Sequence, residues 1–202
     1  MNKKNIIVAI CGASGSIYGI RLLKALLQHP INIHLIISHA GKQVLGHETG
    51  YAGQPFEEFL KETGILFHQD ADLKIYDQNN FFAPFASGSF QHDGMAIAPC
   101  SMKTLGAINA GIADNLIHRA ADVSLKEKRP LILMTRETPL SIIHLKNMYE
   151  AAIAGATIMP PVPGFYFKPE TIADIVDSTI ARVLDHLKIE HNLIKRWGEN
   201  NV

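Results

Sequence analysis

The residues able to do chemistry gather in short segments, each placed directly after an apolar run. Gly12-Ala13-Ser14-Gly15-Ser16 follows the run Asn5 to Cys11 and precedes an amphipathic segment beginning near Ile17. A small-residue turn between a buried strand and a helix lets backbone N–H groups and the positive helix end approach an anion without side-chain clash. It is not a Walker turn, since no Gly-Lys-Ser/Thr ends it. It also lacks the third glycine of the dinucleotide fingerprint. A mononucleotide phosphate is the indicated guest, with a plain tight turn as the alternative. Ser38 ends the next apolar run, where dinucleotide enzymes place an acid for ribose; its hydroxyl suits a ribityl chain, a phosphate or a helix N-cap. Pro99-Cys100-Ser101-Met102-Lys103-Thr104 offers two hydroxyls, Ser101 and Thr104, beside another helix start, a second place for an anion or a ring. No base is placed with Cys100, which therefore reads as packing and not as a nucleophile.

Arg136-Glu137 follows the run LILMT. Arginine suits bidentate phosphate contact and a nearby carboxylate passes protons, a surface salt bridge being the alternative. Glu48 is the acidic residue of its helix that is able to turn back toward the strand edge. Lys126, Tyr166 and Arg182 carry little meaning singly. The ten histidines are scattered without metal-ligand spacing. Lys+Arg and Asp+Glu both count 19, which leaves no global field for nucleic acid or an anionic membrane. Cys11 and Cys100, at the ends of apolar runs, read as reduced thiols. With no signal-type start and no membrane-length run, a cytoplasmic protein is expected.

The elements that must position these residues alternate. Ile6 to Ile10, Ile33 to Ile37, Met95 to Ala98, Leu131 to Met134 and Thr157 to Met159 read as strands. Ile17 to Gln28, Gly41 to Thr49, Ser101 to Ala110, Asn115 to Lys126, Leu140 to Ala154 and Thr171 to Leu187 read as helices. Parallel strands need crossovers, so a Rossmann-like doubly wound α/β sheet flanked by helices is expected, a three-layer αβα arrangement with its ligand at the strand C-termini. One domain over 1–202 follows. Asp77 to His92, with Phe81, Phe82, Phe85 and Phe90, reads as a functional loop whose rings need a neighbouring subunit or a ligand. Pro160 to Pro169 reads as a stiff aromatic cap.

Taken in order, GASGSIYGIRLL, PFASGS, APCSMKTLGAINAGIADNLIHRAADVSLKEKRPLILMTRETPLSIIHLKNM, PPVPGFY and RWGE closely resemble the UbiX family of flavin prenyltransferases from Ile6 to Glu199. The phenylacrylic acid decarboxylase label attaches to the same group. The resemblance implies a metal-independent transferase that joins the dimethylallyl group of dimethylallyl phosphate to N5 and C6 of reduced FMN. The product serves a UbiD-type decarboxylase, as in ubiquinone biosynthesis. It implies a homo-oligomer, trimer-based and dodecameric, with the C-terminal helix and tail, about 171–202, packing on a neighbour.

Residue by residue, the resemblance assigns Gly12, Ala13, Ser14, Ser38, Ser101, Met102, Lys103, Thr104 and Arg136 to FMN. Ser87, Gly88, Lys126, Arg136, Glu137, Tyr166 and Arg182 go to dimethylallyl phosphate. Glu137, Glu48, Lys126, Tyr166 and Trp197 are implied in catalysis. Two rival readings are a flavin-dependent cysteine decarboxylase, whose PASANT stretch and PxMNxxMW clamp are lacking here, and a non-catalytic FMN carrier, which needs only one phosphate site. PFASGS departs from the commoner PPASGS or PIASGS, which bears on prenyl-pocket shape.

Overall fold

In the computed structural model, which describes residues 3–196, six parallel strands form one sheet. They are β1 (Asn5–Ile10), β2 (Asn32–Ile37), β3 (Asp72–Tyr76), β4 (Gly94–Cys100), β5 (Leu131–Thr135) and β6 (Thr157–Ile158), in the order 3-2-1-4-5-6. The helices are α1 (Ser16–Leu26), α2 (His39–Thr49), α3 (Phe56–Glu62), α4 (Met102–Asn109), α5 (Leu116–Lys126), α6 (Ile142–Ile153) and α7 (Ile172–His186). This is the expected doubly wound fold. Successive strand side chains point to opposite faces, so β1 alone feeds two cores. Ile6, Val8 and Ile10 join the side of α1, α3 and α7, and Ile7, Ala9 and Cys11 join the side of α4 and α5.

Strand order reverses between β1 and β4, which pair directly and send their crossovers to opposite sides. The gap this opens at their C-terminal ends is where such folds admit ligands. α7 lays Val176, Ile180, Val183 and Leu184 onto the α1 layer of its own chain. An ion pair between Arg21 and Asp177 pins the two helices.

The segment between β3 and β4 crosses the sheet face from the edge strand β3 to the interior strand β4. Phe85 is fully buried and Phe90 packs beside it around His34 and Tyr76. This corrects the expectation that all four rings need a neighbour: two are satisfied within the chain, while Phe81 is 45% and Phe82 99% exposed.

Candidate functional site

Three strand ends build one cavity of about 500 Å³. Gly12 follows β1, Ser38 with His39 and Ala40 follows β2, and Ser101, Lys103 and Thr104 follow β4; all line it. Close approach explains the glycine. A Cβ on Gly12 would lie 2.5 Å from the Ala40 Cβ, so any side chain would force the β1 and β2 termini apart. Ser38 proves to be an N-cap as well as a cavity wall, its Oγ accepting the Gly41 amide at 2.9 Å. Ser101 likewise accepts the Thr104 amide at 3.3 Å and donates to Thr104 Oγ1 at 3.1 Å, which in turn reaches Cys11 Sγ at 3.3 Å. The two hydroxyls are thus held in fixed positions.

At the GASGS turn, the anion that meets the start of α1 is a side chain of the protein itself. Gly15, held at φ 106, donates its amide to both Glu48 oxygens at 3.0 Å, and the Ser16 amide reaches Oε2 at 2.7 Å. Glu48 does turn back to the strand edge, as its position on α2 suggested. Burial pushes its carboxyl upward, but hydrogen bonds from the Ser14 side chain and the Ser16 and Gly15 amides outweigh that and hold it below the usual carboxylate range. Ala13 is buried and Ser14 exposed beside it.

Arg136 sits just past β5, its amide bonded to the Cys100 carbonyl at 3.2 Å. Its Nε is buried without a hydrogen-bond partner. Neither Arg136 nor Glu137 enters an ion pair among the described residues, so the surface-salt-bridge alternative is not realised. Glu137 is exposed and accepts the Thr138 amide at 3.0 Å. An orphaned guanidinium N–H, two fixed hydroxyls and Lys103 fit an anionic mononucleotide at this edge. Cys100 is fully buried, which drives its thiol well above the ordinary range, and burial pushes Cys11 up to about 11; both are packing residues.

Two further groups form elsewhere. A Cβ on Gly88 would come within 2.9 Å of Lys126 Nζ, so Ser87, Gly88 and Lys126 are neighbours. Lys126 pairs with Glu127 at 2.7 Å, while Arg129 holds the Gly88 and Phe90 carbonyls at 2.7 and 2.6 Å. Tyr166 and Arg182 line a second cavity, of about 360 Å³. α5 separates the first two groups. Asn115, Ile117 and His118 at its start line the 500 Å³ cavity, whereas Lys126 ends it, roughly 12 Å further along the axis at 1.5 Å per residue. Trp197 lies outside the described residues.

Sequence reasoning missed several lining residues: Gln78, Asn79, Asp114, Asn115 and His118. Gln78 accepts the His39 amide through its side chain and the Leu116 amide through its carbonyl. Asp114 and His118, one helical turn apart, bond at 2.5 Å. That i,i+4 spacing behind an Asn N-cap was the available signal.

A family model described as Flavoprotein matches residues 1–186. The chain is similar to the flavin prenyltransferase UbiX of Pseudomonas aeruginosa, 44% identical over 204 residues that cover 98% of this chain and 96% of that one. It is similar also to the crystal structure of AnUbiX in complex with FMN and dimethylallyl pyrophosphate, with a TM-score of 0.88 at 42% identity over 99% of this chain and 100% of that one. The dodecameric FMN-dependent UbiX-like decarboxylase from Escherichia coli O157:H7 gives a TM-score of 0.85 at 43% identity over 96% and 98%. Identity sustained at that level over nearly the whole length of sequence and fold means that this chain belongs to the UbiX family of flavin prenyltransferases, within the flavoproteins.

Proposed function

We propose that the protein joins the dimethylallyl group of dimethylallyl phosphate to reduced FMN at N5 and C6, releasing phosphate, and that prenylated FMN passes to a UbiD-type decarboxylase, as in ubiquinone biosynthesis. The observation that carries the reading is the 500 Å³ cavity at the sheet's switch point, with Ser38, Ser101 and Lys103 on its wall and Arg136 beside it. Reduced flavin supplies the nucleophile. The residues of the chain supply charge and orientation. Gly12 to Ser14, Ser38, Ser101 to Thr104 and Arg136 hold FMN, and Glu48 fixes the GASGS turn and the Ser14 hydroxyl.

Phosphate leaves an allylic carbon readily when its growing charge meets fixed cations in a site closed to water. Arg136, Lys126 and Arg182 are those cations, with Ser87 and Gly88 lining the same pocket. Glu137 and Tyr166 hold the phosphate and deliver its proton, and the Tyr166 and Trp197 faces shelter the allylic carbon. No metal has a part in this reading. The separation of Lys126 from the cavity along α5 supports a site shared between copies, in which one chain's Lys126 and ASGS loop serve another's flavin. The outward apolar face of α6, with Ile142, Ile143, Tyr149 and Ile153 all more than half exposed, supports a homo-oligomer, as do exposed Phe165 and Ile172 near the start of the segment 171–202. We take the assembly to be a trimer-based dodecamer of one-domain chains in the cytoplasm. None of the described helices is long and apolar enough to cross a membrane.

Anaerobic incubation with reduced FMN and dimethylallyl phosphate, followed by mass measurement of the extracted flavin, tests the reading. A gain of one prenyl unit is expected; unchanged flavin refutes it.

A further inference from the structure

We propose that Asp185 is a positioning residue for the donor-phosphate side of the site, acting through Arg182; the inference rests on the prenyl-transfer reading above. Asp185 lies in the last turn of α7, where a carboxylate opposes the partial negative charge of the helix end. A carboxylate there needs compensating cations, and three groups converge on it. Oδ2 accepts from Arg182 Nη1 at 2.9 Å, Oδ1 accepts from Arg196 Nη2 at 2.8 Å, and His191 Nε2 lies 3.1 Å from Oδ1.

The anion is more sheltered than either arginine of the network, and His191 beside it is buried, at 4% exposed. The Asp185 side chain is 21% exposed, against 61% for Arg182 and 51% for Arg196. Burial raises the Asp185 carboxyl, but Arg196 and His191 outweigh burial and hold it below its ordinary range, so it stays charged. All four residues line the 360 Å³ cavity together with Tyr166 and Lys195. That wall carries Arg182, Lys195 and Arg196 against the one carboxylate of Asp185. Without it the cations repel one another and Arg182 loses the contact that orients it, while Leu193 still packs the segment 191–196 against the core. With it, Arg182 is held through Nη1 alone, and most of its five N–H donors remain for a phosphate.

The test is steady-state prenylation of reduced FMN with dimethylallyl phosphate varied, for wild type, Asp185→Asn, Asp185→Glu, Arg182→Ala and the double variant Asp185→Asn/Arg182→Ala. FMN affinity and melting temperature are measured on the same preparations. Asp185→Asn is expected to raise KM for dimethylallyl phosphate about tenfold while kcat stays within about threefold and FMN affinity within about twofold. Asp185→Glu, which keeps the charge, recovers most of the KM. The double variant is no worse than Arg182→Ala alone, because both changes remove one interaction. If Arg182→Ala raises KM and Asp185→Asn does not, or if the two effects multiply, the inference falls while the functional reading stands. If Arg182→Ala leaves KM unchanged, the placement of Arg182 falls and takes this inference with it. An Asp185→Asn protein that loses FMN affinity or thermal stability in step with KM marks a purely structural role and also overturns it.

Discussion

Two carboxylates near the cavity have opposite surroundings, and these separate their roles. Glu48 is engaged by two backbone amides and the Ser14 side chain, so its charge is committed to holding the start of α1. Glu137 is exposed at the end of β5, beside an arginine with a buried, unpartnered Nε, and accepts only a local amide. Glu137→Gln is expected to retain FMN affinity within about threefold and to slow prenyl transfer on the order of a hundredfold, the size of a lost general acid or base. Lost flavin binding would make Glu137 structural. Glu48→Gln keeps the shape but removes the anion from a helix N-terminus. It is expected to lower stability by about 1–2 kcal/mol by chemical denaturation, and an unchanged denaturation midpoint would show that the turn does not depend on that charge.

The crossing segment between β3 and β4 is held by side chains that the sequence does not mark as core. Phe85 sits fully buried among His34, Tyr76 and Phe90. Truncating it leaves a ring-sized void that rigid neighbours fill only partly. Phe85→Ala is expected to cost about 3–5 kcal/mol in urea unfolding, whereas Phe82→Ala, at an exposed position, costs the isolated chain almost nothing. β1, β2, β4 and β5 were legible in the sequence because strands buried on both faces must be continuous apolar runs. β3 was not: as an edge strand it carries Asp72 and Lys74, and its alternation is too weak to separate from a loop. α3 was hidden for a similar reason, being a single short amphipathic stretch, Phe56–Glu62. In the site, Gly12, Ser38 and Ser101 to Thr104 were legible because each directly follows a strand run. Gln78, Asp114 and His118 enter the cavity from a connection and a helix start, and no local pattern shows where the chain will fold back. Glu48 was visible as an acid on the right helix, but its grip on α1 depends on tertiary packing between α1 and α2.

Acid should weaken the whole molecule through two histidines. His34 and His92 are buried, and burial is the main reason both are lowered from 6.5 to about 4, with Lys74 beside the first and Arg129 beside the second adding to it. Above pH 6.5 both are neutral in the folded and unfolded chain, so they contribute no pH-dependent penalty. As pH falls from 6.5 toward 4 the unfolded chain binds protons that the folded chain refuses, so stability is lost across that window and levels off below it. The shift corresponds to at most about 3 kcal/mol per group. The urea midpoint is expected to fall steadily between pH 7 and pH 4, and His34→Gln to flatten the slope. A midpoint independent of pH over that range would place the acid sensitivity elsewhere.

At the scale of the assembly, the rigid α5 decides where a complete site can exist. Its start lines the 500 Å³ cavity and its end carries Lys126, so in one chain the lysine and the ASGS loop are displaced along the helix from the strand-end residues. If the donor phosphate needs both, two different chains must supply them. Lys126→Ala and Arg136→Ala are each expected to abolish most activity, since on the proposed reading each removes one cation from the leaving phosphate. Co-expressed and co-purified as mixed oligomers, the two inactive variants should regain activity. Some sites then draw an intact Lys126 from one chain and an intact Arg136 from its neighbour. With random mixing, about a quarter of sites receive both groups, so about a quarter of wild-type activity is the expected yield. A site contained within one chain has no such route, because every chain in the mixture lacks one cation. Mixed oligomers that remain as inactive as either parent would therefore show that Lys126 reaches the cavity of its own chain.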